Sequence, residues 1–350
     1  MKKLISFVIT STIICSMFAG CGNNTTDVPQ SASSTVSSQG ATSSDMRVLQ
    51  LGHLDPGKDN NAYQVFCTTF KKNLNEISGG KFDIDIFSDA QLGGEREMME
   101  GMKLGTVDMA IITNSYFSNF VPDFMVFDLP YLFADYNAAY RILDDPDVMD
   151  PLKEKLYNDC DVKFLDWGNS GFRYIVNTSR PIVNVEDLKG LKIRLPESPL
   201  YVETFKALGA NPTTMAFSEA FTAVQQKTVD GLEITASAIY TAGYYEICDY
   251  LSKTNHFYSP ISINMSRSIW DDLTEEEQGW FMEAAAKTKA EQRVAVEGIE
   301  KELFDEMGKA IAINEISSIE DFRDAATPAF DYARGKIGDD LVDLVLSKLS

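Results

Sequence analysis

Hydrophobic positions change their period several times along this chain, and each change predicts an element. Arg47-Val-Leu-Gln-Leu-Gly reads as a strand and Asp55-Pro56-Gly57 as a turn. From Asn61 onward, Tyr63, Phe66, Cys67, Phe70, Leu74 and Ile77 recur at three- and four-residue steps. That is the stripe of a core-facing helix, ended by Ser78-Gly79-Gly80. Phe82, Ile84 and Ile86 alternate with polar positions as in a half-buried strand. A short helix with Met98, Met99 and Met102 inward and a strand over 107–113 complete β-α-β-α-β. Elements alternating at these lengths pair their strands in parallel through right-handed crossovers, which makes an open α/β sheet with helices on both faces.

Ligands of such sheets bind beyond the carboxyl ends of the strands. His53 and Leu54 follow the first strand, Thr113 and Asn114 end the third, and the Gly93-Gly94 turn lies near the same edge. Without a GxGxxG or Walker pattern that glycine pair reads as a turn and not as a phosphate cradle. The strand over 162–167 ends at Trp167 and runs into Gly168-Asn169-Ser170-Gly171, so Trp167 and Asn169 join the candidates, and 172–177 reads as a further strand. Asp187 is placed to cap a one-turn helix within 181–190. In Leu191-Lys-Ile-Arg-Leu-Pro196, Leu191, Ile193 and Leu195 share one face, and Lys192 and Arg194 the other. Pro196 marks the strand's end, because it cannot donate to a sheet ladder. Arg194 therefore leaves a strand near its carboxyl edge, a pattern equally suited to a cleft residue and to an arginine on a solvated face.

Tyr201, Phe205 and Leu208 form the next helical stripe. After an extended crossing, Ser218 is expected to cap a helix with Glu219 in its first turn. A strand over 229–234 completes a second α/β lobe. Beyond a strand at 262–266, a helical pattern over 275–310 would reach about 50 Å, long enough to run behind both lobes. The expected division is a first lobe of 46–170 with 258–300 and a second of 171–257 with 301–350.

The amino-terminal end is of another kind. Lys2 and Lys3 precede an apolar run that is interrupted by Thr10, Ser11, Thr12 and Ser16 and stops at Ala19-Gly20. It reads as a secretory signal over 1–20, too short and polar for a spanning helix of roughly 20 apolar residues. Phe18-Ala19-Gly20-Cys21 resembles the lipobox of bacterial lipoproteins, which implies that Cys21 is lipidated. Residues 22–44 are almost all small and polar, a composition that behaves as a flexible spacer, so 21–45 is expected to be an anchored linker. Removing Lys2 and Lys3 with the signal changes the formal charge from −21 to −23. Nucleic acid is excluded as a partner for so acidic a surface.

Beyond the signal and Cys21, the cysteines Cys67, Cys160 and Cys248 have no metal-ligand or disulfide spacing, and the two histidines, His53 and His256, lie far apart. Neither a metal site nor a cofactor is expected. Gly168-Asn169-Ser170-Gly171 lacks the GxSxG pattern of a hydrolase elbow, and HExxH is absent, so an enzyme is disfavoured.

Several segments now stand in a recognisable order: Gln91-Leu-Gly-Gly-Glu-Arg, Asp128-Leu-Pro-Tyr-Leu-Phe133, Gly171-Phe-Arg173, Gly190-Leu-Lys-Ile-Arg-Leu-Pro-Glu-Ser-Pro, Met215-Ala-Phe-Ser-Glu219, Val229-Asp-Gly231 and Thr254-Asn-His256. Over residues 48–310 the chain resembles the DctP-type solute-binding proteins of tripartite ATP-independent periplasmic (TRAP) transporters. The resemblance implies a two-lobe binding protein with a long helix spanning both lobes. It also implies that Arg194 anchors a substrate carboxylate, that Arg173 is a second polar contact and that Phe217 packs on the ligand. Many members carry Asp-Gly-Gln-Glu-Asn where this chain reads Asp230-Gly-Leu-Glu-Ile234. Ile234 cannot supply the asparagine's hydrogen bond, so either the ligand lacks the usual second polar group there, or Thr235 or a first-lobe residue such as Asn114 replaces it. The implied function is capture of a small organic acid (a sugar acid, oxo acid or dicarboxylate) outside the cell membrane for the transporter's membrane subunits. A ligand-sensing module for a membrane receptor kinase is the alternative.

Overall fold

The structure, a computed structural model, describes residues 46–349. The expected signal, the lipidation site Cys21 and the linker lie outside the described residues. Among the described residues there are ten strands: β1 (Arg47–Gly52), β2 (Phe82–Phe87), β3 (Met109–Thr113), β4 (Val162–Asn177), β5 (Lys192–Leu195), β6 (Asn211–Thr214), β7 (Gly231–Thr235), β8 (Tyr250–Lys253), β9 (Tyr258–Ser266) and β10 (Ala312–Glu315). They are joined in the order β2-β1-β3-β9-β4-β7-β5-β6, with β8 also paired to β4, and β10 to β8.

β1 runs parallel to β2 and β3, as the β-α-β-α-β reading requires. The helix Ala62–Ile77 between β1 and β2 is capped by Asn61, whose side chain accepts from the Tyr63 and Gln64 amides. It buries Tyr63, Phe66, Cys67, Phe70 and Leu74. Two other caps differ from expectation. The helix Phe217–Gln225 starts one residue ahead of Ser218, with Ala216 at the cap position and no side-chain cap bond. Asp187 sits at the third position of the turn Val185–Leu188, where its carboxylate accepts from the Asn184 amide in a capping box.

The main departure is at 168–171. Two strands and a loop are expected there, but the backbone continues as one strand of 16 residues, β4. Gly171 at φ +99° absorbs an irregularity between Asn169 and Phe172, a conformation that glycine adopts without steric cost. Up to Phe172, β4 pairs with β9; from Arg173 it pairs with β7, and β8 takes over the side that β9 leaves. One strand thus belongs to both sheets. Trp167 consequently sits mid-strand instead of at a strand end.

The long helix Glu275–Met307 starts with a Thr274/Glu277 capping box and packs on the helix Ala62–Ile77, on β4 and on the helix Ala236–Thr241. At 33 residues it runs about 50 Å. Gln292, within it, donates to the Asn169 carbonyl at 2.7 Å and accepts from the Asn169 amide at 2.8 Å. It thereby satisfies the backbone at the irregularity that carries β4 from one sheet to the other. The last helix, Asp339–Leu349, packs on helices Tyr136–Leu143 and Pro146–Cys160, where Lys348 pairs with Asp145 and Asp147. A segment expected with the second lobe therefore rests on one expected with the first.

Candidate functional site

Seven of the expected site residues line one cavity between the two sheets: Leu54, Thr113, Arg173, Arg194, Phe217, Ile234 and Thr235. The alternation in β5 aims Arg194 there. Ile193 and Leu195 are fully buried on one face, Lys192 is exposed, and Arg194 is only 2% exposed on the cavity side. Its Nε and Nη2 both donate to the Met215 carbonyl, at 3.1 and 2.7 Å. Among the described residues no carboxylate forms an ion pair with it. Burial accordingly holds its pKa below the usual guanidinium value. The Phe217 ring lies beside it, 5.9 Å from the guanidinium carbon.

Arg173 is in the opposite situation. Glu233, on the neighbouring strand β7, accepts from its Nε and Nη2, the latter at 2.8 Å, and His256 Nε2 lies 3.3 Å from the same carboxylate. Burial works against each charge, and their mutual attraction outweighs it, lowering the Glu233 pKa and raising that of Arg173. His256, its other nitrogen on Thr254 Oγ1 at 2.7 Å, is pushed toward the neutral form by burial. Arg173 Nη1 still reaches Ser259 Oγ in the cavity wall at 3.3 Å.

Three expected residues lie elsewhere. Trp167 is enclosed by Phe117, Phe124, Phe127 and Phe164, and its indole N–H points at Met149 Sδ. Asn169 spends its side-chain oxygen on the Gly171 amide at 2.7 Å, shaping the irregularity of β4. Asn114 donates to the Phe124 carbonyl at 3.0 Å and to Asp128 at 2.8 Å, behind the cavity wall. It cannot stand in for the missing asparagine at Ile234. Thr235 is in the cavity, 3.2 Å from Ser170 Oγ.

The cavity also holds residues that pattern alone did not single out. Glu95 is the first residue of the helix Glu95–Leu104 and is 2% exposed. Its Oε1 accepts from the Thr113 amide at 2.6 Å, whereas Oε2 has no protein partner. Burial raises its pKa well above the usual carboxylate range. Asp55, bonded to Asn61 at 2.8 Å, is pushed up to about 6 by burial. Ser115 Oγ is buried without a partner, and Thr113 and Ser259 hydroxyls lie 3.3 Å apart. The one signal for Glu95 was its place directly after the Gly93-Gly94 turn at the strand edge.

Contacts close the cavity from both sides. Arg96 Nε and Nη2 reach Glu197 at 3.0 and 2.6 Å, and Asn119 donates to the Glu197 carbonyl at 2.7 Å. At the other side Lys58 and Asn61 bond Thr241, at 2.7 and 3.0 Å. Among the described residues no cluster of three or more His, Cys, Asp or Glu is arranged to hold a metal, and no helix is long and apolar enough to cross a membrane.

A fold and cavity of this kind have relatives. The E. coli 2,3-diketo-L-gulonate-binding periplasmic protein is 32% identical over 246 residues, covering 70% of this chain and 74% of its own. A TRAP periplasmic solute-binding protein from Polaromonas, solved with D-erythronate, superposes with a TM-score of 0.82 at 32% identity, covering 86% of this chain and 98% of the other. One from Sulfurospirillum deleyianum, solved with succinate, gives 0.78 at 28% identity, covering 85% and 97%. The model of the bacterial extracellular solute-binding proteins, family 7, matches residues 52–335. The chain belongs to that family, the DctP-type solute receptors of TRAP transport, whose members bind solutes and are not catalysts.

Proposed function

We propose that this protein is the extracytoplasmic solute-binding subunit of a TRAP transporter, that it holds a small organic acid through a salt bridge from Arg194 to the acid's carboxylate, and that it delivers the acid to the membrane subunits. Export through the signal over 1–20 and attachment through a lipid on Cys21, with 21–45 as tether, belong to the same proposal. The observation that carries it is a buried guanidinium that lines the cavity with no acidic partner among the described residues. A charge enclosed without a counter-ion is costly, and a carboxylate removes that cost. The guanidinium presents donors matched to two carboxylate oxygens, each charge-assisted bond being worth roughly 1.5 to 3 kcal/mol. Anion binding therefore favours closure of the lobes, which offers the transporter a shape that signals cargo. The acids held by the relatives, sugar acids and succinate, indicate the size range.

The test is calorimetric titration of the protein and of Arg194→Ala with a panel of sugar acids, oxo acids and dicarboxylates. Submicromolar to micromolar binding of at least one acid, lost in the variant while the fold is retained, is the expected outcome. An acid bound equally well by both proteins overturns the assignment.

A further inference from the structure

The charges around the cavity do not balance for every acid. Two guanidiniums line it, and Glu233 already neutralises Arg173. Arg194 alone is left for an anion, on the reading just given, on which this inference rests. From the first sheet's side Glu95 enters the same cavity with Oε2 unpartnered, although the residue is 98% enclosed; Ser115 Oγ is likewise unpartnered.

We propose that Glu95 makes this a receptor for polyhydroxylated monocarboxylates and excludes dicarboxylates, by taking a substrate hydroxyl where a second carboxylate would need a cation. A hydroxyl both donates and accepts, so it satisfies Glu95 Oε2 as a carboxylate, by donating to it, or as a carboxyl group, by either route. In neither state does Glu95 bring positive charge. A second substrate carboxylate there would be buried without a counter-ion, beside a group that is itself acidic. Such a site separates its substrates by what it leaves unpaired and repelled in the wrong one. The Ser115, Ser170, Thr235 and Ser259 hydroxyls in the same wall suit a chain bearing several hydroxyls and supply no charge.

The measurement compares acids that differ only at the far end: galactonate with galactarate, and erythronate with meso-tartrate. In each pair a terminal CH₂OH becomes a carboxylate. Calorimetry on the wild type, Glu95→Gln and Arg194→Ala is read beside ligand-free melting of each variant. The wild type is expected to prefer the monocarboxylate of at least one pair by about 100-fold or more. In Glu95→Gln, whose amide can still accept from the Thr113 amide, that preference should shrink at least tenfold with melting unchanged. A dicarboxylate bound as tightly as its partner, or a preference unaltered by Glu95→Gln, overturns the role of Glu95, and if Arg194→Ala still abolishes binding the arginine anchor stands. Wild-type protein that binds neither monocarboxylate also overturns the role of Glu95, and the arginine anchor is then decided by the wider panel of acids above.

Discussion

The Arg194 guanidinium is held by a single neutral oxygen, the Met215 carbonyl, which accepts from both Nε and Nη2. Arg173, on the adjoining part of the same sheet, is held by the charged Glu233. Two arginines in one cavity therefore have different duties: Arg173 belongs to the wall, with its charge spent, and Arg194 keeps its charge available.

From this contrast, Arg194→Lys is expected to behave almost as badly as the alanine variant. An ammonium is a point charge on a flexible stem and loses both the two-point grip on Met215 and the parallel donors for a carboxylate. Titration with the acid that the wild type binds should show at least about a 30-fold loss, from roughly 2 kcal/mol of charge-assisted bonding. Removing a buried unpaired cation relieves a cost of the ligand-free state, so Arg194→Ala should unfold no earlier in urea than the wild type. A markedly earlier midpoint would mean that Arg194 is structural.

Trp167→Ala should have the reverse profile. The ring is 1% exposed among four phenylalanines. Its loss should cost about 3 to 5 kcal/mol in denaturant titration. The affinity of the protein that remains folded should stay within about twofold of wild type, because the indole does not line the cavity. A selective loss of affinity at unchanged stability would contradict its placement.

Asp128, which burial pushes up to about 7 from 3.8, should contribute a stability to the ligand-free protein that falls as pH rises from about 4 to 7. In that window the native carboxyl keeps a proton that the unfolded chain has released, so each step up in pH favours unfolding. Asp55 acts in the same direction up to about 6. Glu233, with its pKa lowered, contributes stability above its unfolded pKa that is lost as pH falls through its folded one. Asp128→Asn keeps an acceptor for Asn114 and removes the titration. Urea midpoints across this range should be flatter in the variant, and an unchanged slope would refute the assignment to Asp128.

Arg96 and Glu197 form a partly exposed clasp across the cavity's rim, with side chains 46% and 41% exposed. Solvent limits such a pair to about 1 kcal/mol or less, so Arg96→Ala should weaken acid binding by about fivefold at most. The change should appear as faster ligand release in stopped-flow measurements and diminish with added salt. A loss far above tenfold would show that Arg96 reads the ligand itself.

Much of the fold was legible because the relevant signals are local. A three- and four-residue recurrence from Tyr63 to Leu74 and a two-residue alternation from Phe82 to Ile86 announce their own elements, since side-chain direction is set by the backbone of the same segment. The same alternation told that Arg194 and Ile193 face opposite ways, and the signature segments around Arg194 identified the family. Trp167 and Asn169 were misplaced because Gly168-Asn169-Ser170-Gly171 has the composition of a loop. What keeps it extended is Gln292, over 120 positions away, which satisfies its backbone.

By itself, then, the sequence determined the strands and helices, the class of two-lobe α/β receptor, and an arginine near a strand's carboxyl edge. Only the tertiary structure decided which arginine keeps a free charge, that Asn114 turns away to Asp128, and that Glu95 enters the cavity unpartnered. The physical reason is that burial and charge neutralisation are properties of pairs. Arg173 and Glu233 are 60 positions apart, and no local pattern records that one cancels the other.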